Sequence, residues 1–89
     1  MNDMANLSLD IKHMIVDNLL LQISPETIAD EQPLFGPGGL GLDSVDALQL
    51  VVGLDKKYGL KIADPDVARN VLRSVTTIRA ALEIHLAGR

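Results

Sequence analysis

The segment from Gln22 to Asp43, QISPETIADEQPLFGPGGLGLD, carries three prolines and four glycines. Proline lacks the N–H that a helix interior needs, and glycine loses the most backbone freedom there. Helix is therefore excluded over most of this stretch. On either side of it, apolar residues recur at helical spacing. The segment thus divides an otherwise helical chain. Structureless connections above roughly 15 residues are uncommon in compact domains and are often functional. Leu34 and Phe35 are the expected anchors that pin it to the core.

The first helix is expected over 8–21, with Leu7, Ile11, Met14, Ile15 and Leu19 on one face. Ser8 is its expected N-cap. Asp10 falls in the first turn, where the helix dipole favours an anion. The second helix is expected over 44–58. Val45, Leu48 and Val52 share a face that Ala47, Leu50, Val51 and Leu54 widen beyond half the circumference. Such a helix lies deep in a bundle or meets partners. Gly59 follows at the position that favours a left-handed residue. A short third helix over 65–72 has Asp64 as cap and Pro65 at its first position, with Val67 and Val71 turned inward. The fourth is expected over 77–87, capped by Thr76 and ended by Gly88. Ile78, Ala81, Leu82 and Leu86 form its buried stripe. No stretch has strand character of useful length. The expected fold is all-α: a small four-helix bundle, with a long loop between helices 1 and 2, in one domain over 1–89.

Composition narrows the function. With 47% apolar residues, one Phe, one Tyr and no Trp, the core is almost wholly aliphatic. The absence of cysteine excludes disulfides, thiolate metal sites and cysteine nucleophiles. The net charge of -4 is uneven. Residues 1–46 hold eight acids and one base (-7), and residues 47–89 hold four acids and seven bases (+3). An acidic chain poor in aromatics is a poor nucleic-acid binder. No basic, apolar leader is visible, and no apolar run is long enough to enter a bilayer as a span. A cytoplasmic monomer read by protein partners is the expectation.

Ser44 is the residue that calls for an account. A serine at a helix start is most often an N-cap, although the box here is incomplete, with Ala47 where Glu or Gln would reach back. Nucleophilic catalysis needs a base and an oxyanion hole. The only histidines, His13 and His85, sit on helices far along the chain, where solvated or partly buried roles suit them better. No catalytic residue and no metal site are expected. GPGGLGLDS follows no strand and lacks the lysine of a phosphate-binding loop. A helix N-terminus does, however, tolerate a phosphate well, and serine there could carry a phosphodiester-linked group. The glycines before it leave room for another enzyme to approach.

The stretch LGLDSVDALQLVVGLDKKYGLKI, residues 40–62, resembles the acyl carrier protein family around its modified serine. Gly41, Asp43, Ser44, Val45, Leu48, Val52, Tyr58 and Ile62 fall into that family's register. DPDVARNVLRSVTTIRAALEIHL extends the likeness through its short third and its fourth helix. The resemblance implies that Ser44, beside its motif neighbour Asp43, accepts 4′-phosphopantetheine from coenzyme A. A separate magnesium-dependent phosphopantetheinyl transferase (holo-acyl-carrier-protein synthase) would attach it. The arm's thiol would then hold acyl groups as thioesters, which supplies the sulfur this chain lacks. Acyl-transferring and ketoacyl-synthase-type enzymes are the implied partners, and the chain itself would catalyse nothing.

The helix after Ser44 departs from the family's primary fatty-acid members, which carry a heavily acidic second helix. Asp46 is kept, Gln49 replaces a frequent Glu, and Asp55, Lys56 and Lys57 replace an acidic run. With Val45 and Val52, these are the expected partner-recognition residues. The expectation is a free-standing carrier for a specialised lipid, polyketide or polyene pathway. Two alternatives stand beside it: an aminoacyl or peptidyl carrier, and an unmodified helical interaction module in which Ser44 is only a cap.

Overall fold

The computed structural model describes residues 3–35 and 39–88. Its elements run α1 (Asp3–Leu19), a single 3-10 turn (Pro25–Thr27), α2 (Ser44–Tyr58), α3 (Pro65–Val71) and α4 (Val75–Ala87). Among the described residues there is no strand, only an isolated bridge between Phe35 and Leu42. The four helices have the expected order, and α2 has the expected bounds.

Helix periodicity sorts the chain as the apolar pattern requires. Leu7, Ile11, Met14 and Ile15 of α1 are buried, with Leu50 and Leu54 of α2, and Val75, Ile78 and Leu82 of α4. α1 packs against both α2 and α4, and α3 lies against α4. The loop contributes Ile28, Leu34 and Leu42 to the same core, and Phe35 packs on its edge. Leu34 thus anchors the loop as expected. Val67 does not face inward; it is exposed on α3, and only Val71 packs against the core. Leu86 likewise lies outside the buried stripe of α4. Val67 lies in the first turn of α3 and Leu86 in the last turn of α4, and neither is among the residues packed on the core.

Three caps also differ from the expectation. α1 begins five residues earlier than 8–21, so Ser8 is inside the helix. It is buried, and its Oγ accepts a hydrogen bond from Arg79 Nη1 at 3.1 Å, joining α1 to α4. α4 begins at Val75, capped by Ser74 instead of Thr76. Ser74 Oγ accepts from the Thr77 N–H, and Thr77 Oγ1 accepts from the Ser74 N–H at 2.9 Å. Thr76 serves the loop: its N–H and hydroxyl both donate to the Asp30 carbonyl, at 2.9 and 3.0 Å. Ser44 is the third case and belongs to the site described below. At α3 the Asp64 carboxylate caps the Asp66 N–H at 2.8 Å, with Pro65 first in the helix, as expected.

Two helix ends use left-handed backbone. Gly59, at φ 75°, closes α2 with its N–H on the Asp55 carbonyl at 2.8 Å. Glycine takes that conformation without the penalty a Cβ brings. Leu20 follows α1 at φ 53°, with the Leu21 N–H on the Val16 carbonyl at 3.0 Å. A non-glycine residue costs roughly 1–2 kcal/mol there. No glycine marks this end in the sequence, and α1 stops at Leu19, two residues before the expected 21.

Tyr58, the last residue of α2, is packed against the core with its hydroxyl buried and unpartnered among the described residues. Burial, with a smaller push from the Asp10 carboxylate, holds the phenol above its ordinary pKa. Leaving a buried hydroxyl unsatisfied costs about 1–3 kcal/mol. Tyr58→Phe is therefore expected to hold or raise stability by about 1 kcal/mol in urea titration; a clear loss would show that the hydroxyl is engaged.

Candidate functional site at the start of helix α2

The loop delivers its last residues to a fixed place. Leu34 is fully buried; its N–H donates to the Arg73 carbonyl at 3.0 Å, and its carbonyl accepts from the Leu42 N–H at 3.2 Å. Leu42 is buried in turn, so the chain enters α2 from a point held by the core. The Leu40 N–H donates to the Pro33 carbonyl at 3.3 Å, and a Cβ on Gly39 would run into that same carbonyl. Glycine is thus required at 39 by close backbone approach. Gly36, Pro37 and Gly38 lie outside the described residues.

Asp43, not Ser44, is the N-cap of α2. Its Oδ1 accepts from the Asp46 N–H at 3.1 Å, and Asp46 Oδ2 accepts from the Asp43 N–H at 3.0 Å. This reciprocal box was legible one residue earlier than expected, with Asp46 in the place that Ala47 was expected to leave empty. The negative carboxylates also meet the positive end of the helix dipole.

Ser44 is consequently spared the capping role. It is exposed at the first helical position, and among the described residues its hydroxyl has no hydrogen-bond partner. The N–H groups of Ser44 and Val45 are likewise the free donors that every helix start leaves. Ser44 borders an open groove of about 1020 Å³ between α2 and α3. Its apolar lining includes Leu42, Val51, Ile62 and Leu72, and the cations Arg69 and Arg73 line it as well. Sequence reading missed the groove, because α3 brings Arg69, Leu72 and their neighbours to Ser44 only through packing against α4. Arg69 is partly engaged by Asp66 at 3.1 Å on the surface.

The other expected residues divide by face. Val45, Leu48, Gln49, Val52, Lys56 and Lys57 are exposed on α2. Asp55 is bridged by Lys61 Nζ at 3.1 Å. His13 is exposed and far along the fold, and His85 Nε2 donates to the Tyr58 carbonyl at 3.2 Å, which joins α4 to the end of α2. Neither stands with Ser44. Among the described residues no cluster of three or more His, Asp or Glu is placed to hold a metal. The remaining perturbed group, Glu26, is distant in the loop; the Ser24 hydroxyl, then backbone hydrogen bonding, lowers its pKa.

An exposed, unengaged hydroxyl beside an apolar groove suits covalent attachment of a long amphiphilic group. Comparison with known families decides which one: the model for the phosphopantetheine attachment site matches residues 18–83. This chain belongs to that family. The chain is also similar to the acyl carrier protein of Wolinella succinogenes, 32% identical over 60 residues that span 67% of this chain and 74% of that protein. A phosphopantetheine attachment domain carries its group for other enzymes and is not itself a catalyst. Residues at the start of α2 fit the group: free N–H donors and the helix dipole for a phosphodiester, and an apolar groove beside Ser44.

The division between Asp43 and Ser44 is measurable in urea. Asp43→Ala is expected to lose about 0.5–2 kcal/mol of stability, the usual cost of removing an N-cap. Ser44→Ala is expected to change stability by less than about 0.5 kcal/mol, as at an ordinary surface position. The reverse order would return the cap to Ser44.

Proposed function

We propose that this chain is an acyl carrier in which Ser44 bears the phosphopantetheine. The observation that carries the reading is the Ser44 hydroxyl itself, held at the first position of α2, exposed and unengaged because Asp43 does the capping. When bound, the arm supplies a thiol that holds acyl groups as thioesters. The chain's own residues then act on a tethered group. Leu34 and Leu42 fix the attachment point, the Asp43–Asp46 box holds the helix end behind it, and the groove offers an apolar surface beside it. Tethering raises the local concentration of cargo at whichever enzyme docks, so no catalytic group is required of the carrier.

The partners of this reading are a phosphopantetheinyl transferase and acyl-handling enzymes, in the cytoplasm. No helix of the described residues is long and apolar enough to cross a membrane, in keeping with that setting. Val45, Asp46, Gln49, Val52, Asp55, Lys56 and Lys57 are the proposed recognition residues, all on the helix that starts at Ser44. The nearly balanced charge of that helix favours enzymes of a dedicated lipid, polyketide or polyene pathway over those that select a strongly acidic carrier.

Intact mass before and after incubation with coenzyme A, magnesium and a broad-specificity phosphopantetheinyl transferase tests the reading. Wild type is expected to gain one phosphopantetheine increment, and Ser44→Ala none. No gain on folded wild type, beside a control carrier that loads, would overturn it. A gain on Ser44→Ala would move the attachment elsewhere.

A further inference from the structure

The start of α2 is acidic before anything is attached to it. The Asp43 and Asp46 carboxylates of the capping box flank Ser44 in the chain. Glu31 and Asp64 line the groove beside it, together with Asp43. A phosphodiester on Ser44 adds a further negative charge to this rim, and like charges at close range repel. The Ser44 and Val45 N–H groups and the helix dipole offset part of that cost from the α2 side. Among the described residues, the only cations that line the groove are Arg69 and Arg73, on its other side.

The two arginines differ. Arg69 Nη1 is held at 3.1 Å by Asp66, on the same short helix. The Arg73 guanidinium is exposed and has no carboxylate partner among the described residues. Its backbone, by contrast, is fixed. Leu72 before it and Ser74 after it are buried, and its carbonyl accepts from the Leu34 N–H at 3.0 Å. The Leu34 carbonyl in turn accepts from the N–H of Leu42, two residues before Ser44. One loop residue is thus hydrogen-bonded to both rims of the groove. Arg73 offers an unneutralised guanidinium from an anchored stem, across the groove from Ser44.

We infer that Arg73 pairs with the phosphodiester that Ser44 carries when loaded. A guanidinium presents its donors as a planar fork that meets two phosphate oxygens at once. Together with the N–H groups of α2, Arg73 holds the phosphate from both sides. It thereby sets the direction in which the linked group leaves Ser44: over the groove floor of Leu42, Val51, Ile62 and Leu72, and not out along the exposed face of α2. The inference rests on the carrier reading. A carboxylate on a docking enzyme is the competing partner for Arg73, and in that case loading alone would leave Arg73 as it was.

NMR at both ends of the contact tests it, on the full chain unloaded and loaded, with loading checked by mass. On loading, the Arg73 Nε–H signal is expected to move clearly more than that of Arg79, which Ser8 and Glu83 hold outside the groove. The 31P signal of the loaded chain is expected to move in Arg73→Gln. It is expected to stay nearer its wild-type position in Arg73→Lys, which keeps the charge without the fork. In urea, loading is expected to favour the folded state about threefold more in wild type than in Arg73→Gln, the scale of one exposed ion pair, and high salt is expected to remove the difference. An Arg73 signal that loading leaves unmoved, or moves no more than that of Arg79, would overturn the inference from the wild type alone. So would a 31P signal indifferent to Arg73→Gln, or an equal effect of loading on the stability of the two chains. A wild type that gains no mass overturns the carrier reading and this inference with it, whereas a loaded chain with an unmoved Arg73 overturns this inference alone.

Discussion

The pairing of Leu34 with Leu42 holds this structure together where it matters for function. Both side chains are in the core, and the Leu42 N–H to Leu34 carbonyl bond closes the loop on itself at 3.2 Å. The Leu34 N–H on the Arg73 carbonyl ties that closure to the junction between α3 and α4. Farther back, the Lys12–Asp30 ion pair at 2.6 Å and the two hydrogen bonds from Thr76 to Asp30 fasten the middle of the loop to α1 and α4. A connection of this length would otherwise carry a large conformational freedom. Anchored at these points, it places Asp43 at one position and starts α2 there. Without the anchors, Ser44 would still be a serine before a helix, but its distance from the groove would not be defined.

From that starting point the labour is split between neighbours. Asp43 and Asp46 satisfy each other's backbone donors, so the helix end is complete without Ser44. On the proposed reading, the hydroxyl that is to be esterified is thereby left free of the capping role, which falls to Asp43 one residue earlier. The groove has a similar division: α3 is a short helix lying against α4, and its Arg69, with Leu72 just after it, closes one side of the space beside Ser44.

Much of this was legible because periodicity and proline chemistry act locally. The apolar spacing of residues 11–15, 50–54 and 78–82 marks three buried faces, and Asp64-Pro65 marks the start of α3. The caps were harder. Ser8, Ser44 and Thr76 each stood near a better candidate, or inside a helix that began earlier, and the choice depends on which hydroxyl tertiary packing leaves free. Ser8 is committed to Arg79 and Thr76 to Asp30, partners 71 and 46 residues away in sequence. No local pattern reports such bonds. The groove was invisible for the same reason, since it is lined from the loop, α2, α3 and the α3–α4 junction together. The resemblance in residues 40–62 singled out Ser44 as the serine proposed to be modified, whereas only the structure shows that its hydroxyl is spare.

The start of α2 is complete without the Ser44 hydroxyl. Amide hydrogen exchange at Asp46, compared between the unloaded and the phosphopantetheine-loaded protein, tests it most directly. The amide that donates to Asp43 should keep the same protection in both forms, and in Ser44→Ala as well. A marked loss of protection at Asp46 on loading, or in Ser44→Ala, would mean that Ser44 and not Asp43 holds the helix end.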